Sequence, residues 1–284
     1  MKELKENRVA SFIVIAFVYI MAIIAGVITY RALNFSWWVS LLIADVVSTT
    51  LTFIFSLIFK NASVYDPYWS VQPLVILIAF AFSENITSYG LLLLVVVSIW
   101  AIRLTANWAY TFKNLTCQDW RYTTLNETTG KFYPLINFIG IHMVPTVIVY
   151  ACTLPGVYAL REGISANVLS VVFLCLSLVA IIIQGTSDIQ MHKFRKHKDS
   201  TFIHTGLWKY SRHPNYLGEI LMWWGIGLSV VSASYGNYYL LIGAIANTIL
   251  FLTVSIPMAD KRQSHKQGFE EYKRQTRMLL PIKK

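Results

Sequence analysis

The sequence predicts an all-α fold, a polytopic transmembrane helical bundle of about eight spans and at least seven. Hydrophobic residues make up 56% of the 284 residues and charged residues only 13%, whereas soluble domains usually carry about 25% charged residues. The charges are sparse in several long apolar runs and crowded into the gaps between them. About 20 apolar residues span a hydrocarbon core of roughly 30 Å as a helix, and lipid offers no hydrogen-bond partners to the edges of an open sheet.

The apolar runs define the predicted spans in chain order. They cover residues 11–31, 37–59, 70–83, 90–110, 134–155, 167–186, 217–233 and 238–257. The first is predicted to be a retained span and not a cleaved signal peptide, because no small-residue cleavage site precedes Tyr30 and Arg31. The third is short, so a half-buried segment is an alternative. Only residues 234–237 separate the last two runs, which predicts a tight helical hairpin or one re-entrant unit.

The formal net charge of +10 is compatible with a nucleic-acid partner or with a fixed membrane orientation. Basic residues mark the cytoplasmic side of membrane proteins. With a cytoplasmic N-terminus and eight crossings, every Lys and Arg except Arg31, Arg103 and Arg161 falls in a cytoplasmic segment. We therefore predict an integral, multi-pass membrane protein with both termini in the cytoplasm, in contact with membrane lipid and without a nucleic-acid partner. The pattern predicts no particular oligomeric state.

A polar segment continues the sixth run without a helix breaker. It reads Ser-Asp-Ile-Gln-Met-His-Lys-Phe-Arg-Lys-His-Lys over residues 187–198. Asp188, His192 and Arg195 are spaced i, i+4 and i+7, which predicts that they share one helical face. One interpretation is a solvated helix end whose cations are favoured by the helix dipole, and the other is a functional face.

A second polar segment leads into the seventh run. Pro214 suits the first turn of that helix, where its missing N–H costs nothing. Asn215, Glu219 and Trp223 then share one face. A carboxylate one turn inside an apolar helix, such as that of Glu219, is expected to be paired or functional. The structural alternative is an ion pair between Glu219 and Arg212.

Several common site motifs are missing from the sequence. It has no glycine-rich phosphate loop, no HExxH spacing and no GxSxG elbow. Its histidines are not at metal-ligand spacing, so no metal site is predicted. The cytoplasmic segments instead combine arginines, which match phosphates bidentately, with carboxylates that accept hydrogen bonds and aromatic rings that stack. This combination suits a nucleotide cofactor, S-adenosylmethionine or an anionic lipid headgroup.

The second polar segment also carries a specific motif. Residues 206–219 read Gly-Leu-Trp-Lys-Tyr-Ser-Arg-His-Pro-Asn-Tyr-Leu-Gly-Glu. This segment closely resembles the signature of the steroid 5-alpha-reductase-like membrane family, particularly its bacterial-type, largely uncharacterised, DUF1295-like branch. The resemblance extends over roughly residues 60–284, through Ser187, Asp188, Arg195, Tyr272, Leu280 and Pro281, with a weaker match at Arg103, Asp119, Arg121 and Tyr122.

The resemblance implies a membrane-embedded reductase acting on CH–CH groups. Such an enzyme holds NADPH between cytoplasmic loops and reduces a carbon–carbon double bond conjugated to a ketone, in a lipophilic enone that is steroid-like or another lipid. The chain would then comprise N-terminal transmembrane helices, residues 1–60, and a reductase-like transmembrane domain with cytoplasmic cofactor loops, residues 61–284. The implied cofactor-binding residues are Asp188, Arg195, Arg212, Asn215, Tyr216, Glu219, Arg121 and Tyr122.

The sequence departs from the steroid reductases at the catalytic pair. Those enzymes polarise the substrate ketone with a glutamate at the start of one span and a tyrosine in the next. Here Asp66 is the nearest carboxylate, and a rough alignment puts Arg103 at the second position. We therefore predict Asp66 and Arg103 as the catalytic residues, with Arg103 donating to the oxygen where negative charge develops.

The motif Arg-His-Pro-x-Tyr-x-Gly also resembles isoprenylcysteine and phospholipid methyltransferases. An S-adenosylmethionine-dependent methyltransferase of a lipidic substrate is therefore the alternative function, and a transporter or scaffold is a third. Glu219 and the Asp188 face favour the reductase. Transport is disfavoured because the two halves show no matching half-helices broken by Gly or Pro.

Two polar residues inside predicted spans stand apart from the motif. Asp45 lies mid-span, so it is a functional candidate unless it pairs with Arg103 or with a Ser or Thr hydroxyl. His142 in the fifth run is interpreted as a hydrogen-bonded interior residue and not as a ligand.

Overall fold

The computed structural model describes residues 2–197 and 201–281, and within these ranges the chain forms helices and no strand. The all-α prediction is confirmed. Lys198, Lys283 and Lys284, which contribute to the predicted cytoplasmic charge, lie outside the described residues.

Seven helical stretches among the described residues are long and apolar enough to cross a membrane. They are Arg8–Ala32, Trp37–Phe59, Ser88–Thr111, Trp120–Arg161, Val168–His197, Pro214–Ser234 and Tyr238–Gln263. The third predicted run forms the helix Tyr68–Ser83, which has 16 residues. At 1.5 Å per residue it is roughly 24 Å long, shorter than a hydrocarbon core of roughly 30 Å. The protein is therefore a multi-pass helical bundle with seven candidate spans and one shorter apolar helix.

The chain divides into two compact units. Unit 1 comprises Met1–Ile76 and Leu104–Tyr150, and unit 2 comprises Leu77–Arg103 and Ala151–Lys284. The division implied by the family resemblance, residues 1–60 and 61–284, concerns which part carries the reductase and stays a prediction.

Unit 1 begins with two long helices of similar length that are joined by a short connection. The side chain of Asn7 accepts the N–H of Ala10 at the start of the first, and Lys60 ends the second with a left-handed φ of 50°. Its helices, some completed in unit 2, are α1 (Lys2–Glu6), α2 (Arg8–Ala32), α3 (Trp37–Phe59), α4 (Tyr68–Ser83), α5 (Ser88–Thr111), α6 (Trp120–Thr129), α7 (Tyr133–Ile136), a π-helix (Asn137–Met143) and α8 (Val144–Arg161).

Unit 2 continues from α8 into the two helices that carry most of the sequence motif. Its further elements are α9 (Val168–His197), α10 (Pro214–Ser234), α11 (Ile242–Leu250), a second π-helix (Phe251–Ser255), α12 (Ile256–Gln263) and α13 (Phe269–Gln275). The predicted continuation of the sixth run to residue 197 is confirmed, as is Pro214 in the first turn of α10.

Helices α9 and α10 approach each other closely because two glycines of α10 face α9. A Cβ on Gly218 would lie 2.7 Å from the carbonyl oxygen of Ala180, and one on Gly225 would lie 2.8 Å from that of Phe173. The hydroxyl of Ser177 donates to the carbonyl of Met222 across the same contact, at 3.0 Å. This contact fixes the register in which the polar ends of the two helices meet.

Candidate functional site

The polar ends of α5, α9 and α10 meet in unit 2. We call this group the α5/α9/α10 cluster. Its members are Trp100, Arg103, Gln184, Asp188, Asn215, Glu219 and Trp223. The cluster places two carboxylates, one guanidinium and two amides among apolar helices, where each polar group needs a partner.

Arg103 and Asp188 form an ion pair across α5 and α9. The Nη1–Oδ2 distance is 2.6 Å, and the side chains are 17% and 16% exposed. The Nε of Arg103 is buried and has no hydrogen-bond partner among residues 2–197 and 201–281. The predicted catalytic arginine and a predicted cofactor residue are thus direct neighbours.

Glu219 is held by two indoles. Trp100 Nε1 donates to Glu219 Oε2 and Trp223 Nε1 donates to Glu219 Oε1, each at 2.9 Å. The two indole rings pack edge to face with centroids 4.9 Å apart. The alternative in which Glu219 pairs with Arg212 is wrong, because Arg212 binds Asp260 instead.

Two amides of the cluster hold polar atoms that the described chain leaves without a partner. Gln184 is 1% exposed, and neither its Oε1 nor its Nε2 makes a hydrogen bond to any described residue. The Oδ1 of half-buried Asn215 is in the same state. Gln184 lies one turn before Asp188 on α9 and packs against Gly218, next to Glu219.

Arg212 and His213 tie the start of α10 to the end of the chain. Arg212 Nη2 and His213 Nε2 each lie 2.9 Å from a different carboxylate oxygen of Asp260. Arg212 also donates to the carbonyl of Thr276 at 2.6 Å. The Tyr272 hydroxyl donates to the carbonyl of Trp208. Arg212, predicted to bind the cofactor, therefore directs these hydrogen bonds toward the C-terminal segment in this structure.

The remaining predicted cofactor residues of unit 2 are more open. Arg195 is exposed in the last turn of α9, two turns beyond Asp188. Tyr216 stacks on His213 with centroids 5.3 Å apart and contacts Phe251 of the second π-helix. Their predicted roles stay predictions.

The other predicted site residues lie together in unit 1. The hydroxyl of Tyr122 donates to Asp66 Oδ1 at 2.7 Å, and Arg121 forms an ion pair with Asp119 at 2.9 Å. Burial raises the pKa of Asp66 to about 6, against the hydrogen bond from Tyr122 and the charge of Arg121, which lower it. Asp66 is therefore a carboxyl that retains its proton closer to neutral pH than an ordinary aspartate.

Of the two intraspan residues, Asp45 has different partners from those predicted and His142 has surroundings of the predicted kind. Asp45 accepts from the Tyr68 hydroxyl at 2.7 Å and from Gln72 Nε2 at 2.8 Å, so pairing with Arg103 or with a Ser or Thr hydroxyl is wrong. His142 is fully buried, and its Nδ1 lies 3.0 Å from the carbonyl oxygen of Asn137, which confirms a hydrogen-bonded interior residue.

Sequence reasoning missed several members of these groups. Trp100 and Gln184 were available as residues one turn from Arg103 and Asp188 on the same helical faces, since i and i+3 or i+4 positions are neighbours. Asp260 follows an apolar run and gives no comparable signal. Its role is visible only from the fold.

Comparison with known proteins gives a family but no described activity. A family model with the description "Protein of unknown function (DUF1295)" matches residues 52–276. The chain is 27% identical over 195 residues to an uncharacterized protein of Schizosaccharomyces pombe, in a match covering 58% of this chain and 56% of that protein. This chain therefore spans little more than half the length of that relative. No solved structure matches. Because the family model covers well over half of the 284 residues, the protein belongs to the DUF1295 family, which is steroid 5-alpha-reductase-like.

Proposed function

We propose that the protein is a membrane-embedded, NADPH-dependent oxidoreductase that reduces a carbon–carbon double bond of a lipophilic enone. The α5/α9/α10 cluster would hold the nicotinamide end of the cofactor. The main support is the amide of Gln184, buried with both polar atoms unpartnered in the described chain. Such groups are rare in native proteins and call for an explanation such as a bound ligand.

The chemistry of the cluster fits a nicotinamide nucleoside. Its carboxamide and ribose hydroxyls need both donors and acceptors. Gln184 offers one of each and Asn215 Oδ1 offers an acceptor, while Arg195 supplies an exposed cation for phosphate. NADPH supplies a hydride when it is bound. The positions that offer these groups include those that the family resemblance assigns to cofactor contact.

The protein's own residues would carry the remaining tasks. Arg103 has the charge to stabilise an oxygen that becomes negative, and its bond to Asp188 fixes its orientation. In unit 1, Asp66 has a raised pKa of about 6, which suits a carboxyl that gives up a proton near neutral pH.

Cofactor binding is tested on full-length protein purified in detergent, titrated in parallel with NADPH and with S-adenosylmethionine. We expect saturable thermal stabilisation by NADPH, because a ligand stabilises in proportion to its affinity for the native state. Saturable binding of S-adenosylmethionine, with none of NADPH, would replace the reductase with the lipid methyltransferase.

The variant Gln184→Met separates binding from structure. It replaces an unpartnered buried amide by an apolar side chain of similar shape, so the thermal midpoint without cofactor should stay the same or rise. The affinity for NADPH should fall roughly threefold to a hundredfold, the loss of one or two hydrogen bonds. Asn247→Leu, at another buried amide of unit 2 with an unpartnered nitrogen, is the matched control and should keep its affinity. Undiminished affinity in Gln184→Met would remove Gln184 from the site.

The cytoplasmic location of both termini also belongs to the proposal. It requires an even number of crossings, so the short helix α4 must cross in addition to the seven candidate spans. Topology reporters fused before Met1 and after Lys284 are expected on the same side. Opposite sides would mean an odd number of crossings and would overturn the placement of both termini in the cytoplasm.

A further inference from the structure

The C-terminal segment, residues 256–281, is hydrogen-bonded to the stretch of chain just before α10. The backbone N–H of Arg212 donates to the carbonyl of Arg277 at 3.0 Å. The Tyr272 hydroxyl donates to the carbonyl of Trp208. The stretch that leads into α10 is therefore held in place by a segment that lies far from it in the sequence.

Asp260 of this segment joins two consecutive side chains at the start of α10. Its Oδ2 lies 2.9 Å from Arg212 Nη2, and its Oδ1 lies 2.9 Å from His213 Nε2. Arg212, His213 and Asp260 are 8%, 7% and 9% exposed. Removing one partner of a buried ion pair is strongly destabilising, so we expect these contacts to persist when a ligand binds.

Arg212 is poorly placed to bind a phosphate group. Bidentate binding of phosphate uses two guanidinium nitrogens, and both terminal nitrogens of Arg212 already donate to the C-terminal segment, Nη1 to the Thr276 carbonyl and Nη2 to Asp260. The Nε has no partner among the described residues, but it is buried. Arg195, exposed in the last turn of α9, is the accessible cation.

The same contacts fix the first turn of α10. His213 is the N-cap residue of this helix, and its side chain bonds Asp260 and makes no capping hydrogen bond. Its ring stacks on that of Tyr216 in the first turn, with centroids 5.3 Å apart and planes 5° from parallel. Asn215 lies between these two residues in the sequence, and Glu219 lies one turn after it. The position of Asn215 Oδ1, an unpartnered acceptor of the α5/α9/α10 cluster, therefore depends on the C-terminal segment.

We propose that Arg212 and Asp260 are positioning residues of the cofactor site and that Arg212 is not a phosphate ligand. Together with His213 they fix the first turn of α10, so that Asn215 and Glu219 meet the nicotinamide end of the cofactor. The C-terminal segment thus contributes to the site by acting through α10. This inference rests on the proposed function, because it assumes that the cluster binds the nicotinamide end of NADPH.

Two ligands separate positioning from phosphate binding, since NADPH carries phosphates and reduced nicotinamide riboside carries none. Binding of tritiated NADPH to full-length protein in detergent is measured directly, and the affinity of the riboside is measured from its displacement of NADPH. In Arg212→Gln both ligands should weaken by the same factor, about threefold to tenfold, because they share the nicotinamide end. In Arg195→Gln only NADPH should weaken, by about tenfold to a hundredfold, the loss of a charge-assisted contact. Arg274→Gln, at an arginine of the C-terminal segment that is 76% exposed, is the matched control and should keep both affinities.

Asp260→Asn gives a second reading of the same kind. It keeps the shape of the side chain and should weaken both ligands in parallel, and the double variant Arg212→Gln/Asp260→Asn, which leaves neither charge without its partner, should lose no more than either single variant. These variants supply the measurement if Arg212→Gln does not fold. Loss of NADPH affinity alone in Arg212→Gln would make Arg212 a phosphate ligand and overturn the proposal, as would unchanged affinities in Arg212→Gln and Asp260→Asn. Absence of saturable NADPH binding by the wild type would overturn the proposed function and this inference with it, so the two failures are distinguished.

Discussion

The carboxylates Asp45 and Asp66 of unit 1 have different hydrogen-bond partners from those of unit 2, although the more exposed Asp119 of unit 1 pairs with Arg121. In unit 1, Asp45 and Asp66 accept from neutral donors, chiefly the hydroxyls of Tyr68 and Tyr122. In unit 2, Asp188 and Asp260 each face an arginine at hydrogen-bond distance. Glu219 is intermediate, since both of its hydrogen bonds come from indoles although it lies in the cluster that contains Arg103.

The difference bears on what each unit can bind. An acid that forms an ion pair with an arginine fixes the position of that arginine, which suits orientation of a charged cofactor. An acid whose hydrogen bonds come from neutral donors is stabilised less as an anion than one bonded to a cation. The charge of Arg121 lowers the pKa of Asp66, but Arg121 is ion-paired with Asp119. Asp66 in unit 1, whose pKa is raised to about 6, is therefore suited to exchange of a proton.

The largest loss of stability is expected at the close contact between α9 and α10, which positions the carboxylates of unit 2. A Cβ on Gly218 meets the Ala180 carbonyl oxygen at 2.7 Å, and backbone cannot move aside without separating the helices. Gly218→Ala should therefore destabilise by about 3 kcal/mol, the upper part of the overpacking range. Gly26 of unit 1 is the matched control, since its Cβ would meet mainly the Ser48 hydroxyl, which can rotate. Gly26→Ala should cost about 1 kcal/mol, the hydrogen bond of that hydroxyl. Thermal midpoints in detergent measure both, and equal losses would contradict the account of close packing.

The next effect concerns the ion pair of the cluster. Arg103→Gln and Asp188→Asn should each destabilise by about 1.5–3 kcal/mol, because each leaves a largely buried charge with a weaker partner. The double variant should cost less than the sum, with a coupling of roughly 1–3 kcal/mol. Glu271 and Arg274, exposed by 56% and 76%, are the control pair and should couple by about 0.2–0.5 kcal/mol. Additive losses at Arg103 and Asp188 would mean that the pair does not distinguish unit 2 from unit 1.

Properties of single helices were predictable from the sequence. The apolar runs gave the helices, Pro214 gave the start of α10, and the spacing of Asp188 and Glu219 placed each on the polar end of its helix. The run at residues 70–83 is as apolar as its neighbours, and it forms a helix of only 16 residues. Its length, and not its composition, separates it from the spanning helices.

Pairings between helices were not predictable in the same way. Periodicity shows which face of a helix a residue occupies, but not which residue of another helix faces it. Arg103 was therefore considered as a partner for Asp45, and Arg212 for Glu219, whereas the structure pairs Arg103 with Asp188 and Glu219 with indoles. Gly218 and Gly225, seven residues apart on one helical face, were a usable signal for close packing of α10.

The smallest effect is a pH dependence that comes from Asp66. Its pKa is raised from the ordinary value of 3.8 to about 6 because of burial, so the native state holds the proton more tightly than the unfolded chain. The stability this proton contributes is fully present below about pH 4 and is lost as the pH rises through about 6, with a slope of at most about 1.4 kcal/mol per pH unit. Asp66→Asn should lack this component when thermal midpoints are compared between pH 4 and 7, and Glu271→Gln on the exposed surface should retain it. Tyr122→Phe sharpens the test, because the hydrogen bond from Tyr122 lowers the pKa of Asp66 and its removal should move the loss of stability to higher pH. The same profile in wild type and in Asp66→Asn would assign the titration to another group and remove Asp66 from the comparison between the units.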